Sequence, residues 1–293
     1  MNLRLFNPFD RLLKKTRKED GKRILLCWNR GLGDIPLGLY ALVQRIEAII
    51  PEANITFITR SDLSAGFEML KGVTTYSAKE WKRGIAFDLD ATLESLSLNK
   101  SDFDLLIEHP DPTKWVSWQL STLTPKLCWN PAWDLLSKPF SLDPQQTYIG
   151  VHVQTETQYG YEKNWPQEYW RLFFQKVIEE KKCHILLFGV GTSPVFEGEG
   201  IIDLRGKTTL LEMFCIIKNH CHFLVVPDSG VLSITYYIDA SFPIHIVSLW
   251  ADPWQGVLKQ NVASPNPLLR HTPLIAKQRD LRSVLVDTVV GAL

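Results

Sequence analysis

Three short stretches of this chain combine residue types that can hold a ligand or react with one. The first is Gly31-Leu32-Gly33-Asp34, lying between an apolar run and a helical pattern. Glycines let backbone approach a ligand closely, and the mouth of a helix favours a negative group. Asp34 is itself such a group, so the same residues also describe an ordinary N-cap ahead of Ile35 and Pro36. The second stretch is "TETQYGYEKNWPQEYW". Lys163 can reach a phosphate held over strand ends, acting as a point charge. The hydroxyls of Thr155 and Thr157 can add donors. The plainer alternative is a solvated lysine, with Trp165 packing the loop down. The third stretch is Asp228-Ser229-Gly230, at a strand-to-helix turn whose backbone N–H groups suit a phosphate or sugar hydroxyls. An Asp or Ser N-cap fits it equally well.

These residues need elements to position them, and the sequence alternates strand and helix signals throughout. Arg23–Trp28 predicts a strand and Ile35–Ile50 a helix; Asn54–Arg60 and Asp102–His109 predict further strands, with a helix over "LSAGFEML". Strand, helix, strand at this spacing means βαβ units and a parallel sheet. A proline-rich texture between Lys126 and Gln146 marks a connector. A second series follows: strands at Thr147–Val153, Cys183–Gly189, "IIDLRG", "HFLVVPDSG" and "FPIHIVSLW", and helices at Pro166–Glu180, Thr208–Asn219 and "VLSITYYID". "AKQRDLRSVLVDTVV" predicts a closing helix. The expected organisation is an N-terminal extension over 1–22, an α/β lobe over 23–140 and a second over 141–293. In such sheets ligands sit beyond the carboxyl ends of the strands.

Composition supports a packed globular protein. Of 293 residues, 45% are hydrophobic and 22% charged, and 32 basic residues balance 32 acidic ones. That balance gives no global argument for nucleic acid as a partner. The five cysteines (Cys27, Cys128, Cys183, Cys215, Cys221) form no CxxC pair, which fits a reduced, cytosolic protein without a cysteine metal site. No stretch is apolar enough to span a bilayer, and no signal-peptide core follows Met1. The extension sets Leu3, Leu5, Phe6, Phe9, Leu12 and Leu13 before a basic flank from Lys14 to Arg23. Such a segment either rests on an anionic membrane surface or packs as a short helix on the body.

Other chemistry is poorly represented. Histidines lack zinc spacing; His152 ends a strand, and His184 and His245 sit in apolar runs. His109 ends a strand beside Asp111 and Lys114, where it can meet an acceptor. A dinucleotide fingerprint is broken by Pro36 at the third glycine position, although Asp62 stands where a ribose contact would be. There is no nucleophile elbow and no Walker A loop.

Taken in order, the motifs resemble glycosyltransferase family 9, the lipopolysaccharide heptosyltransferases. The resemblance spans roughly Arg23 to Trp254. It rests on Gly31-Leu32-Gly33-Asp34, on Lys163-Asn164-Trp165-Pro166, on Asp203-Leu204-Arg205-Gly206-Lys207-Thr208-Thr209-Leu210 and on Asp228-Ser229-Gly230. It implies the α/β GT-B fold, two Rossmann-like lobes with parallel sheets facing a central cleft. It also implies an inverting, metal-independent transfer without a cofactor. The donor would be a nucleotide sugar, typically ADP-heptose, and the acceptor a lipid-linked saccharide at the cytoplasmic face of the inner membrane. Asp34 would be the general base, with Gly31, Gly33 and His109 on the acceptor side. Lys163, Thr155, Thr157, Thr208, Asp228, Ser229, Gly230 and Ser233 would serve the donor. The chain departs from the family at Ser233, where a donor-contacting histidine is usual, and the loop before Lys163 is longer. Glu197 is a weak match for the acidic residue that often contacts the ribose. The departure at Ser233 keeps a second reading open, a relative that binds a sugar nucleotide without transferring the sugar.

Overall fold

In a computed structural model that describes residues 7–117, 120–156 and 160–293, the chain divides into two units, Met1–Cys128 and Trp129–Leu293. Each is an α/β layer structure built on a parallel sheet.

The first unit holds β1 (Arg23–Trp28), β2 (Asn54–Arg60), β3 (Val73–Ala78) and β4 (Leu105–Ile107). They pair in parallel in the order β3-β2-β1-β4. β1 is buried from Ile24 to Trp28, as a central parallel strand covered on both faces must be. Leu25, Cys27 and Ile58 pack one face against Trp81, Leu89 and Leu93. Burial there pushes the Cys27 thiol up to about 12, so it is an inert core residue. The polar edge strand β3 has no counterpart in the sequence reading, because "VTTYSA" lacks the long apolar run of its neighbours.

The N-terminal segment is part of this unit. Pro8–Lys18 is a helix capped by Asn7, and it buries Phe9, Leu13 and Thr16. Phe9 stacks on Trp115 with ring centroids 4.9 Å apart, and Asp10 pairs with Arg45. Phe9 and Leu13 are therefore spent on the body, while Arg11, Leu12, Lys14, Lys15, Arg17 and Lys18 are exposed; Leu3, Leu5 and Phe6 lie outside the described residues. Phe9→Ala is expected to destabilise the protein by about 3–5 kcal/mol in urea denaturation, the usual cost of a deleted core aromatic.

The second unit carries six parallel strands: β5 (Tyr148–His152), β6 (His184–Phe188), β7 (Ile201–Asp203), β8 (Cys221–Pro227), β9 (Ile244–Trp250) and β10 (Leu269–Ile275). Their order is β10-β9-β8-β5-β6-β7. The helix Gln167–Lys181 lays Trp170, Phe173 and Phe174 on this sheet. Trp165 joins the same core and donates its indole N–H to the Val284 carbonyl at 2.9 Å.

Three expectations need correction. The division falls at 128/129 rather than 140/141, because the connector is fastened to the helix Leu210–His220: Lys218 Nζ donates to Asp134 at 2.7 Å, and His220 lies 3.0 Å from the Ser137 hydroxyl. The predicted helix Ile35–Ile50 opens instead as a wide π-turn, Ile35–Leu39, before the α-helix Tyr40–Ile49; Pro36 stands in its first turn, where its missing N–H leaves no bond unmade. The closing helix is confined to Val286–Gly291. Ahead of it Gln278 and Arg279 are left-handed (φ 53° and 61°), and Asp280 caps a 3₁₀ turn.

Candidate functional site

Sheet order says where each unit presents a ligand site. In the first unit the chain leaves β1 for β2 and β3 on one side and returns to β4 on the other. The switch point thus lies between the carboxyl ends of β1 and β4, where open α/β sheets bind ligands. The Gly31–Asp34 loop follows β1 and His109 follows β4, so topology brings both to this point. His109 is exposed, with its ring edge-on to Phe87 at 5.7 Å.

Asp34 occupies the N-cap position of the π-turn without capping it. Its carboxylate turns back and accepts from the Gly31 N–H at 3.1 Å. Gly31 gives that contact room: a Cβ there would stand 2.9 Å from Asp34 Oδ2, so the carboxylate would have to shift. Asp34 is half-buried. Its carboxylate is thus held within the loop and is not consumed by the helix. Asp62, the rival ribose ligand, is bonded by the Arg60 guanidinium at 2.5 and 2.9 Å.

The second unit repeats the topology. β6 and β7 lie on one side of β5, β8 on the other, so its switch point is between β5 and β8. The loop after β5 carries Lys163, and Asp228 directly follows β8. The two meet: Lys163 Nζ lies 2.5 Å from Asp228 Oδ2, with both side chains almost fully buried. Burial raises the Asp228 pKa, Lys163 pulls it back, and Asp252 pushes it up again. A charged pair kept in so dry a place is costly, and perturbed carboxylates gather at functional sites. The loop that carries Lys163 is braced by Asn164, whose side-chain amide accepts from Thr155 N at 2.6 Å and donates to Thr155 O at 2.9 Å.

The other sequence candidates divide. Ser229 is the N-cap of Gly230–Tyr237, accepting from Leu232 N at 3.3 Å. Ser233 is 2% exposed and donates to the Ser229 carbonyl at 3.1 Å, so its hydroxyl is used within the helix. Thr208 is half-buried just ahead of Leu210–His220, whose N-cap is its neighbour Thr209. Thr155 is half-buried after β5; Thr157 lies outside the described residues. Glu197 is elsewhere: it lines a cavity of about 740 Å³ with Phe174 and Phe196, and no motif residue shares that cavity's walls. Arg205, in the Asp203–Thr208 segment, is 1% exposed, bonds Asp203 and the Pro194 carbonyl, and has a structural role. His152 ends β5; burial pushes its pKa down to about 4, which keeps the ring neutral.

Sequence reasoning missed Asp252, Trp254 and Arg279. Asp252 is 5% exposed and accepts from Arg279 Nη2 at 2.8 Å and from Trp254 N at 3.0 Å. No local motif marks them; their relation appears only when β9 and β10 pair in parallel. Among the described residues no three His, Cys, Asp or Glu side chains gather as a metal ion would need.

The sequence matches no protein-family model and no curated protein. Solved structures do resemble it along most of the chain. The E. coli ADP-heptose lipopolysaccharide heptosyltransferase II aligns over 92% of this chain and 97% of its own, with TM-score 0.64 and 15% identity. A family 9 glycosyltransferase from Veillonella parvula aligns over 92% and 95%, with TM-score 0.65 and 15% identity. The E. coli heptosyltransferase WaaC with ADP-2-deoxy-2-fluoro heptose aligns over 92% and 98%, with TM-score 0.53 and 13% identity. At such identities the likeness is one of fold. The chain has the two Rossmann-like α/β units of the GT-B heptosyltransferases.

Proposed function

We propose that the protein is an inverting glycosyltransferase that moves a sugar, foremost heptose from ADP-heptose, onto a lipopolysaccharide core or similar glycan. The observation that carries this reading is the buried Lys163–Asp228 pair at the switch point of a heptosyltransferase-like fold. The neighbouring structures include one with an ADP-heptose analogue bound.

In this reading Asp34 takes the proton of the acceptor hydroxyl as its oxygen attacks the anomeric carbon. The bond from that carbon to the diphosphate breaks, and the nucleoside diphosphate leaves with its electron pair. Its growing charge needs fixed cations and donors. The bond to Asp228 aims the Lys163 ammonium, so Asp228 positions the cation as well as serving the donor. Thr155, Thr157, Thr208 and the Gly230 turn supply further hydroxyl and N–H groups, and His109 stands on the acceptor side. Metal and cofactor have no part in this scheme.

The test is ADP release from ADP-heptose in the presence of heptose-free lipopolysaccharide, with and without EDTA. Acceptor-dependent release that survives EDTA supports the scheme. ADP-heptose binding without release supports the second reading, a relative that binds but does not transfer. The specific observation favouring that reading is Ser233, a buried hydroxyl bonded to its own helix where a donor-contacting histidine is usual.

A lipid-linked acceptor also places the protein at the cytoplasmic face of a membrane. No helix of the described residues is long and apolar enough to cross one. The exposed basic face of Pro8–Lys18 is the part suited to anionic headgroups. Co-sedimentation with phosphatidylglycerol vesicles, but not with phosphatidylcholine vesicles, is the expected result.

A further inference from the structure

The carboxyl ends of β9 and β10 hold a second arrangement beside the Lys163–Asp228 pair. β9 pairs with β8 and β10 pairs with β9, with Leu249 level with Pro227 and Trp250 level with Ile275. Asp252 and Trp254 follow β9, and Arg279 follows β10, so all three share an edge with Asp228. Asp252 clamps the other two: one carboxylate oxygen accepts from the Trp254 backbone and the other from the Arg279 guanidinium.

What the clamp holds is exposed. Trp254 is 75% exposed, and the Arg279 side chain 59%. Asp252 thus anchors the backbone that carries the Trp254 indole and the guanidinium of Arg279 itself, while both side chains stand in solvent. Arg279 is also placed at a conformational cost, since it and Gln278 are consecutive left-handed residues without being glycine. Strain of this kind persists where the surroundings enforce it and clusters at ligand sites. The guanidinium carbon lies over the Tyr161 ring, 5.2 Å from its centroid. Among the described residues its one polar partner is Asp252, through Nη2, so most of its five N–H donors remain for a ligand. Arg279 further lines a cavity of about 320 Å³ together with Glu162, Asn164 and Glu168, at the lower end of small-molecule pocket sizes.

We infer that Trp254 and Arg279 form a subsite for a phosphorylated saccharide, with the indole stacking on the sugar ring and the guanidinium taking the phosphate. An aromatic face suits the C–H side of a pyranose, and the planar fork of arginine matches phosphate in a way lysine does not. The adjoining cavity adds the Glu168 carboxylate, which suits a sugar hydroxyl. The inference rests on the sugar-transfer reading only for its choice of ligand. The phosphorylated sugar belongs either to the acceptor or to the nucleotide-sugar donor.

The experiment is a titration followed by ¹⁵N–¹H correlation spectra, with the Trp254 indole resonance assigned from Trp254→Phe. Glucose 6-phosphate stands for a phosphorylated acceptor, ADP-glucose for the donor, and glucose and inorganic phosphate are controls. A saturable shift of the Trp254 indole with glucose 6-phosphate assigns the subsite to the acceptor; a shift with ADP-glucose alone assigns it to the donor sugar. In either case Arg279→Lys, which keeps a cation against Asp252 but loses the fork, is expected to weaken binding by about tenfold. An unmoved indole with both sugars overturns the inference, as does an equal response to inorganic phosphate or an unchanged affinity in Arg279→Lys. Because glucose 6-phosphate carries no nucleotide, this result is independent of whether ADP binds at Lys163.

Discussion

Asp34→Asn is expected to lower the rate of sugar transfer by about 10²–10⁴-fold, the usual contribution of a general base, while ADP affinity stays unchanged. The variant separates chemistry from architecture. Asparagine has nearly the shape of aspartate, and its side-chain oxygen can still accept from the Gly31 N–H that Asp34 engages at 3.1 Å. The loop is therefore kept, and what is lost is the ability to take a proton. Asp34 lies in the first unit, and the Lys163–Asp228 pair in the second, so donor affinity has no local reason to change. Single-turnover ADP release measures the rate and calorimetry measures the affinity. A variant that transfers sugar at the wild-type rate removes Asp34 from the mechanism. Weakened ADP binding together with a lowered melting temperature makes it a structural residue instead.

Lys163→Ala is expected to cost both donor binding and stability. It leaves Asp228 without its ammonium in a site where that carboxylate is 9% exposed, and removing one partner of a buried pair costs about 3–5 kcal/mol. The loss should depend on pH, and its sign follows from Asp228. Burial holds the pKa of this carboxyl above its unfolded value even with Lys163 present. A raised folded pKa means that the folded state keeps the proton longer than the unfolded chain does. The associated stability is complete below the ordinary carboxylate range and is lost as pH rises through the raised value. Without Lys163 the pKa rises further, so the variant should be least impaired near pH 4–5 and most impaired at pH 8. Urea denaturation at the two pH values reads this directly. Lys163→Ala/Asp228→Asn should recover much of the stability at pH 8 while ADP binding remains lost. Equal destabilisation at both pH values contradicts the assigned charge state. A single variant that binds ADP normally contradicts the phosphate role.

Much of this was legible in the sequence because it is local. Strands such as "RILLCW" and "HILLF" are continuous apolar runs, and the motifs stand where those runs end. The rest depends on which strands become neighbours. Lys163 and Asp228 were read separately, and nothing in either stretch says that their side chains bond; that follows from β8 returning to the free side of β5. The same non-local step hid Asp252, Trp254 and Arg279. The closing helix falls short of its sequence expectation because "AKQRDLRS" has helical composition, yet its Arg279 side chain is tied to Asp252 and its Lys277 N–H donates to the Ser283 hydroxyl. Tertiary bonds overrode propensity there. Asp34 shows the limit of motif reading: N-cap and ligand loop share one sequence, and the direction of the carboxylate, toward Gly31, separates them.

The central claim is that the second unit binds a nucleotide diphosphate at the end of β5 and β8. Calorimetric titration of the wild-type protein with ADP, UDP, GDP and CDP tests it most directly. The account predicts saturable binding of ADP in preference to the other three; the absence of binding by all four nucleotides would contradict it.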